Sequence, residues 1–461
     1  MKKSTKTLLM RSMKLLHILV ALVMFACCVY FFYASTMAGR QKWTYIVVTD
    51  LVYLWTIMLL SRIYRAYMVG TSRIRQLVYS QGLTLFICTV LGYVVTAIFK
   101  LRLVNPLPML GLLVAQCAWC VLWSLLANKL HFRLNPPRPT VVIYDTQEDL
   151  RFLREIQHFE RKFAVIRQVR NPGENGDFAA LLQDAQVVFV AGTDMDARNA
   201  LVKYCVNNRI HCYFPPRVGD VLIAGADHMQ AFSVPLVRVR RAAPSVEYLA
   251  IKRAFDILAS LLAIVLTSPF MLVTAIAIKA YDKGPVLYKQ VRLTKDRKEF
   301  KVLKFRSMRV DAEKDGVARL STENDDRITP VGKLIRKIRF DELPQLFNIL
   351  RGDMTIVGPR PERPEIAAQY EKEIPSFGLR LQVKGGLTGY AQVYGRYNTE
   401  PYDKLKMDLM YINRMSVMED LRIILATVKV LFMKESTEGI EEGQTTASRK
   451  EEKEEQNLQS V

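Results

Sequence analysis

Two adjacent carboxylates, Asp341 and Glu342, sit in the stretch RFDELPQLFNILRGDMTIVGPRP, residues 339–361, and cations crowd around them. Lys333, Arg336, Lys337 and Arg339 precede the pair. Lys301, Lys304 and Arg306 lie upstream in FKVLKFRSM, and Pro359-Arg360-Pro361 closes the stretch. An acidic pair ringed by positive charge suits a polyanionic substrate bridged by metal. An aspartate can serve such a substrate in two ways. It can bind Mg²⁺, a hard cation that usually bridges phosphate oxygens, or it can attack phosphorus and carry an aspartyl phosphate. Two neighbouring carboxylates can divide these roles, and spacing does not say which takes which. Helix capping would explain Asp341 alone, but it leaves the gathered cations unexplained.

The local pattern predicts how the pair is held. Asp341 is placed as an N-cap, with Glu342, Leu343 and Pro344 as the first helical turn. Leu343, Leu346, Phe347 and Leu350 keep helical spacing on one face, and Gly352 is a fitting stop. The carboxylates are therefore expected where free backbone N–H groups favour anions.

The surrounding chain is long and partly apolar. Its 461 residues call for two or three units, 50% of them are hydrophobic, and the net charge is +21. That charge suits anionic lipid or a phosphorylated substrate. Nucleic acid is set aside, because zinc-finger spacing, RNA-binding signatures and basic helices with interleaved aromatics are all missing. Cys117-x-x-Cys120 has metal-ligand spacing but no hydrophilic partners nearby, so it reads as packed cysteines of a membrane helix.

Four apolar segments, about Leu15–Tyr33, Trp43–Leu60, Leu83–Phe99 and Leu107–Leu126, are each about long enough to cross a ~30 Å hydrocarbon core. Lys and Arg are dense before the first, between the second and third, and after the fourth. Both ends of this block, 1–134, are therefore expected in the cytoplasm. Asn135-Pro136-Pro137-Arg138-Pro139 is a linker. Beyond it, strands Thr140–Tyr144, Phe163–Val169, Gln186–Ala191 and Ile210–Phe214 alternate with helices Gln147–Phe159 and Asp194–Asn207. The pattern predicts a parallel, Rossmann-like α/β domain over 135–245. Its first strand, VVIYDTQEDL, is followed by Asp145, Glu148 and Asp149 where a phosphate-binding turn needs glycines, so no nucleotide is expected there. A fifth apolar run, Ala254–Ile278, carries Ser268-Pro269 in its middle and basic residues at both ends. It is expected to bend at Pro269 and return to the side it entered. The Ser268 hydroxyl would satisfy the carbonyl of Ile264 or Val265. Leu421, Ile424, Leu425, Val428, Leu431 and Phe432 make one apolar face, either on the membrane surface or against the domain. The acidic segment 435–461 is expected to be disordered.

In order along the chain, KRAFDIL, GPVLYKQVRL, FKVLKFRSM, RFDELPQLFNILRGDMTIVGPRP and GGLTGYAQVYGR resemble the bacterial sugar transferase family over about Leu249–Phe432. These are monotopic polyprenyl-phosphate phosphoglycosyl transferases. The four-span block followed by an α/β domain is similar to the large members that initiate exopolysaccharide, capsule or O-antigen assembly. The resemblance implies a mixed α/β catalytic domain, 246–434, with a re-entrant helix at 254–278. It implies transfer of sugar-1-phosphate from a UDP-sugar to undecaprenyl phosphate at the bacterial inner membrane, with release of UMP and use of Mg²⁺. It makes Asp341 the nucleophile and Glu342 a Mg²⁺ ligand. Arg336 becomes a phosphate contact, Pro359-Arg360-Pro361 the lining of the nucleotide site, and Lys304 and Arg306 a basic substrate-binding element. Ser268-Pro269 becomes the break in the re-entrant helix.

Two departures from the family pattern bear on loop shape. A glycine turn is missing from Gln290-Val291-Arg292-Leu293-Thr294-Lys295-Asp296, and Gly385-Gly386 replaces Pro-Gly. The competing readings are a membrane phosphotransferase with another donor or acceptor, and a non-catalytic scaffold of polymer assembly, for which an acidic pair beside Arg336 and Arg360 has no use. The sequence names neither the sugar nor the assembly state, and it leaves a homo-oligomer open.

Overall fold

A computed structural model of the chain describes residues 3–146, 161–174, 176–231, 233–310, 312, 325, 327–395 and 399–431. The chain divides into two units, Met1–Pro215 and Pro216–Val461. The helix expected over Gln147–Phe159, with Glu148 and Asp149, lies outside the described residues, and so do Phe432 and the acidic tail.

The first unit opens with four long helices, α1 (Lys3–Cys28), α2 (Gly39–Ile63), α3 (Ile74–Lys100) and α4 (Leu107–Leu134). A π-helical turn, Val29–Tyr33, extends α1. All four are long and apolar enough to cross a membrane. Apolar contact alone is a weak glue between helices in lipid, so buried amides matter. Gln116 donates to the Tyr53 hydroxyl at 2.8 Å, and Gln81 donates to the Ala66 carbonyl at 3.0 Å and accepts from Ser124 at 3.1 Å.

Four parallel strands follow, β1 (Arg138–Tyr144), β2 (Phe163–Arg170), β3 (Val187–Val190) and β4 (His211–Tyr213), in the order β2-β1-β3-β4. Each falls within a residue or two of its predicted span. Val141, Val142, Ile143, Val187 and Val188 are fully buried, as expected of parallel strands covered on both faces. The short helix α5 (Phe178–Leu181) and the longer α6 (Met195–Asn207) accompany the sheet, and Asp194 caps α6 by accepting from Ala197 N at 2.7 Å.

The second unit begins before the boundary the sequence suggested. Helix α7 (Val218–Ala224) buries Val221 in one cluster with Leu405 and Leu409, and Asn413 donates to the Val221 carbonyl at 2.7 Å. An antiparallel hairpin, β5 (Asp227–Ala231) and β6 (Val234–Arg238), leads to α8 (Val246–Asp282). The hairpin β7 (Leu287–Leu293) and β8 (Glu299–Phe305) comes next, then α9 (Pro330–Lys337), a 3₁₀ turn at Phe340–Glu342 and α10 (Gln345–Arg351). Strand β9 (Thr355–Val357) pairs in parallel with β10 (Gly386–Thr388), and α11 (Pro364–Glu373) lies between them in sequence. Helices α12 (Tyr390–Tyr394), α13 (Pro401–Ile412) and α14 (Val417–Leu431) complete the unit. Helix α14 packs on the domain through Ile423 and Ala426, while Leu421 is exposed.

Helix α8 runs through Pro269 as one element. Proline leaves the Val265 carbonyl without its helical N–H, and the Ser268 hydroxyl donates to that oxygen at 2.9 Å. Leu258, Leu262, Val265, Leu266, Leu272 and Val273 are exposed along it. Both of its ends are tied to the same unit. Near the start, Arg253 donates to the carbonyls of Ile349 and Leu350 at 2.6 and 2.7 Å, and Asp256 accepts from Thr355 Oγ1 at 2.7 Å and Ile356 N at 3.0 Å. At the far end Asp282 pairs with Arg306, and Ile278 packs with Phe305 and Ile335.

Candidate active site

The acidic pair is not held as the local pattern suggests. Asp341 lies inside the 3₁₀ turn, and its side chain caps nothing; α10 starts only at Gln345, behind Pro344. The reason lies one residue upstream. Arg339 is left-handed, φ 56°, so the chain turns sharply between α9 and the acidic pair and cannot enter a regular helix there. The buried face of α10 is Leu346 and Ile349, and Phe347 is exposed. Gly352, at φ 93°, ends the helix as expected. Its C-terminal carbonyls are met by cations: Arg253 takes Ile349 and Leu350, and Lys384 donates to Gly352 O at 2.7 Å. Cations at that end suit the helix dipole and fix the segment behind the pair.

The two carboxylates have different surroundings. Glu342 Oε1 accepts from Arg360 Nη2 at 2.9 Å and faces Lys304 Nζ at 3.4 Å. Burial works against its charge, but Arg360, Lys304 and Arg339 outweigh it and hold the carboxyl far below the usual range. Asp341 accepts no hydrogen bond from any described residue. Burial raises its pKa and the Glu342 charge adds to the rise, while Lys304, Arg336 and Arg360 oppose it. One acid is thus clamped and the other is left open beside three cations.

Of the other residues singled out from sequence, Lys304, Arg336 and Arg360 come together at the pair. Pro359 accepts from Gly386 N at 2.8 Å, and Pro361 O accepts from Arg292 at 3.0 Å. Gly386 is required there, because a Cβ would come within 2.1 Å of Gly358 N. Arg306 follows the end of β8, and its pairing is with Asp282 at the end of α8. Ser268 and Pro269 sit mid-way along α8, as described above. The turn expected to need glycine is made by Asp296 and Arg297, both left-handed at φ 56° and 60°. Among the described residues, no three His, Cys, Asp or Glu side chains gather as a metal cage. Two carboxylates are a fitting donor set for a cation that arrives with phosphate oxygens and water, as Mg²⁺ does.

Residues 247–434 match the model of the bacterial sugar transferase family. The chain is also 43% identical over 189 residues to the exopolysaccharide production protein PSS of Rhizobium leguminosarum bv. phaseoli, covering 94% of that protein and 39% of this chain. The chain belongs to the bacterial sugar transferase family. It is 44% identical to a UDP-N-acetylgalactosamine-undecaprenyl-phosphate N-acetylgalactosaminephosphotransferase of Aeromonas hydrophila, over 41% of this chain and 45% of that protein. A UDP-glucose:undecaprenyl-phosphate glucose-1-phosphate transferase of Klebsiella pneumoniae is 45% identical over 40% of this chain and 41% of its own length. The chain thus spans less than half the length of these two relatives.

Within this bacterial sugar transferase, sequence reasoning passed over Arg380 and Asp408 altogether, and gave Arg253 and Arg292 no role at the site beyond their place in a motif. Arg380 and Asp408 form a nearly inaccessible ion pair behind the Pro359–Pro361 turn. The available signal was weak: a single charge inside each of two mostly apolar stretches, PSFGLRLQV and MDLMYI.

Proposed function

We propose that this protein transfers sugar-1-phosphate from a UDP-sugar to undecaprenyl phosphate at the cytoplasmic face of the bacterial inner membrane. The carrying observation is the division between the carboxylates: Glu342 is locked on Arg360 and Lys304, whereas Asp341 beside it is open. Asp341 attacks the sugar-bearing phosphorus, forming an Asp–O–P bond as the bond to the UMP oxygen breaks, so UMP leaves. An oxygen of the lipid phosphate then attacks the same phosphorus and frees Asp341. Arg336, Arg360 and Lys304 counter the charge on the transferring phosphoryl group. Glu342 would hold Mg²⁺, which would supply positive charge against the negative charge that develops on the departing UMP.

The test is UMP release by the full chain with undecaprenyl phosphate and Mg²⁺ over a panel of UDP-sugars. UMP formation that depends on the lipid is expected with at least one sugar. Lipid-dependent release with none of the panel would sink the reading.

The acceptor lives in the membrane and the donor in the cytosol, and α8 fits a helix that enters the inner leaflet and returns. Its 37 residues would reach about 55 Å if straight, well beyond a ~30 Å core. A crossing helix would put Arg253 and Asp282 on opposite sides, yet both are bound to one folded unit. Single cysteines at the exposed Val246 and at Lys283, in a cysteine-free background, are both expected to resist an impermeant reagent in intact cells. Labelling at Lys283 alone would mean that α8 spans. We read the parallel sheet of the first unit as a Rossmann-like scaffolding or regulatory domain.

A further inference from the structure

We propose that the buried Arg380–Asp408 pair is a positioning device for the acidic site, holding the Pro359–Pro361 turn so that Arg360 meets Glu342. The role rests on the transferase reading above, but the contacts stand without it. Side-chain exposure is 3% for Arg380 and 1% for Asp408. Arg380 Nε donates to Asp408 Oδ2 at 2.8 Å, Nη2 donates to the Arg360 carbonyl at 3.0 Å, and Nη1 faces Glu362 at 3.5 Å. One guanidinium therefore ties α13 to Arg360 of the turn and to Glu362 just after it. From the other side Arg292 donates to the Pro361 carbonyl at 3.0 Å, its own fork resting on Gln290 at 2.6 and 3.0 Å.

Two arginines thus grasp successive carbonyls, 360 and 361, while the Arg360 side chain reaches Glu342. Stability does not account for this arrangement. A buried ion pair costs desolvation that a well-packed apolar pair avoids, so replacing both partners is often neutral or favourable. A planar fork that satisfies an acid and a carbonyl at once is a geometric device that neither lysine nor an apolar side chain reproduces. Burial raises the Asp408 carboxyl and its partner Arg380 lowers it; Glu362 and Lys404 are the other charges facing it.

Arg380→Met alone would strand Asp408 as a buried unpaired charge and confuse folding with function. The variant of choice is Arg380→Met/Asp408→Leu in the full chain, which removes both charges and keeps the volume. Its thermal midpoint is expected near that of the parent. Amides of 358–363 should nevertheless exchange at least about tenfold faster in the ligand-free protein. This readout needs no turnover, so it decides the positioning role even if the transferase reading fails.

In the assay, kcat/KM is expected to fall about 10- to 100-fold, since misplacement of about 1 Å costs rates of that order. The loss is expected mainly in kcat, with KM within about threefold of the parent, as misplacement of a group that acts in the reaction would give. Arg380→Lys, which keeps a charge opposite Asp408, should recover part of the loss, and it decides the matter where the double variant does not reach native yield. Parental exchange at 358–363 with parental kcat, in whichever of the two variants is folded, would overturn the proposal.

Discussion

Asp341→Asn is expected to lower turnover by at least about 10³-fold and to abolish covalent capture of the phosphosugar. The amide keeps the shape of the side chain and its place in the 3₁₀ turn, so folding is spared, but it cannot act as an anionic nucleophile. Enzyme mixed with donor alone, digested and weighed, should carry the added mass on the peptide containing Asp341 and lose it in the variant. A label on another residue, or parental activity in Asp341→Asn, would remove the assignment.

Glu342→Gln separates the two acids. It deletes the charge that raises Asp341, so Asp341 ionises more readily and the acid limb moves to lower pH. The rate should still fall, because Arg360 and Lys304 lose their anion and Mg²⁺ its ligand. An acid limb that rose would mean the two carboxylates do not interact as described.

Asp420→Leu is expected to cost about 3–5 kcal/mol of stability. Asp420 pairs with Lys252 at 2.6 Å with both side chains nearly buried, and it accepts from the hydroxyls of Tyr248 and Tyr411 at 2.8 and 2.7 Å. The Tyr411 oxygen also lies 3.1 Å from the Val357 carbonyl, and burial pushes its phenol far up, so it remains a donor throughout the working pH range. The cluster locks the start of α8 to α13, α14 and the strand that leads into the Pro359–Pro361 turn. Leucine strands the Lys252 ammonium without an anion, which burial makes expensive. A companion Lys252→Met/Asp420→Leu chain should regain most of the loss. Measured thermal midpoints that fall equally for the single and double variants would show that the ion pair is not the source.

Much of the architecture lies in short windows of sequence. Hydropathy placed α1 to α4 and the apolar middle of α8, although that helix runs on at both ends to Val246 and Asp282, and alternation placed β1 to β4 within a residue or two. The meeting of Asp341, Glu342 and their cations was also readable, because like charges gathered near an acidic pair are visible without a fold. Ser268 reaching the Val265 carbonyl follows from helix geometry alone, since proline always leaves the carbonyl four residues back unpaired.

The tertiary structure decided the rest. Asp341 is no N-cap, because a left-handed Arg339 reorients the chain just before it; a non-glycine residue there is sustained by packing, which no local propensity encodes. The sequence showed the charges of Arg253, Arg380, Asp408 and Asp420 but not their partners, which lie far along the chain. A charge in an apolar run must find a counter-charge or a carbonyl when buried, yet nothing in its own neighbourhood names which one. For that reason the residues that could do chemistry were legible in the sequence, while those that hold them in place became legible only when the chain was folded.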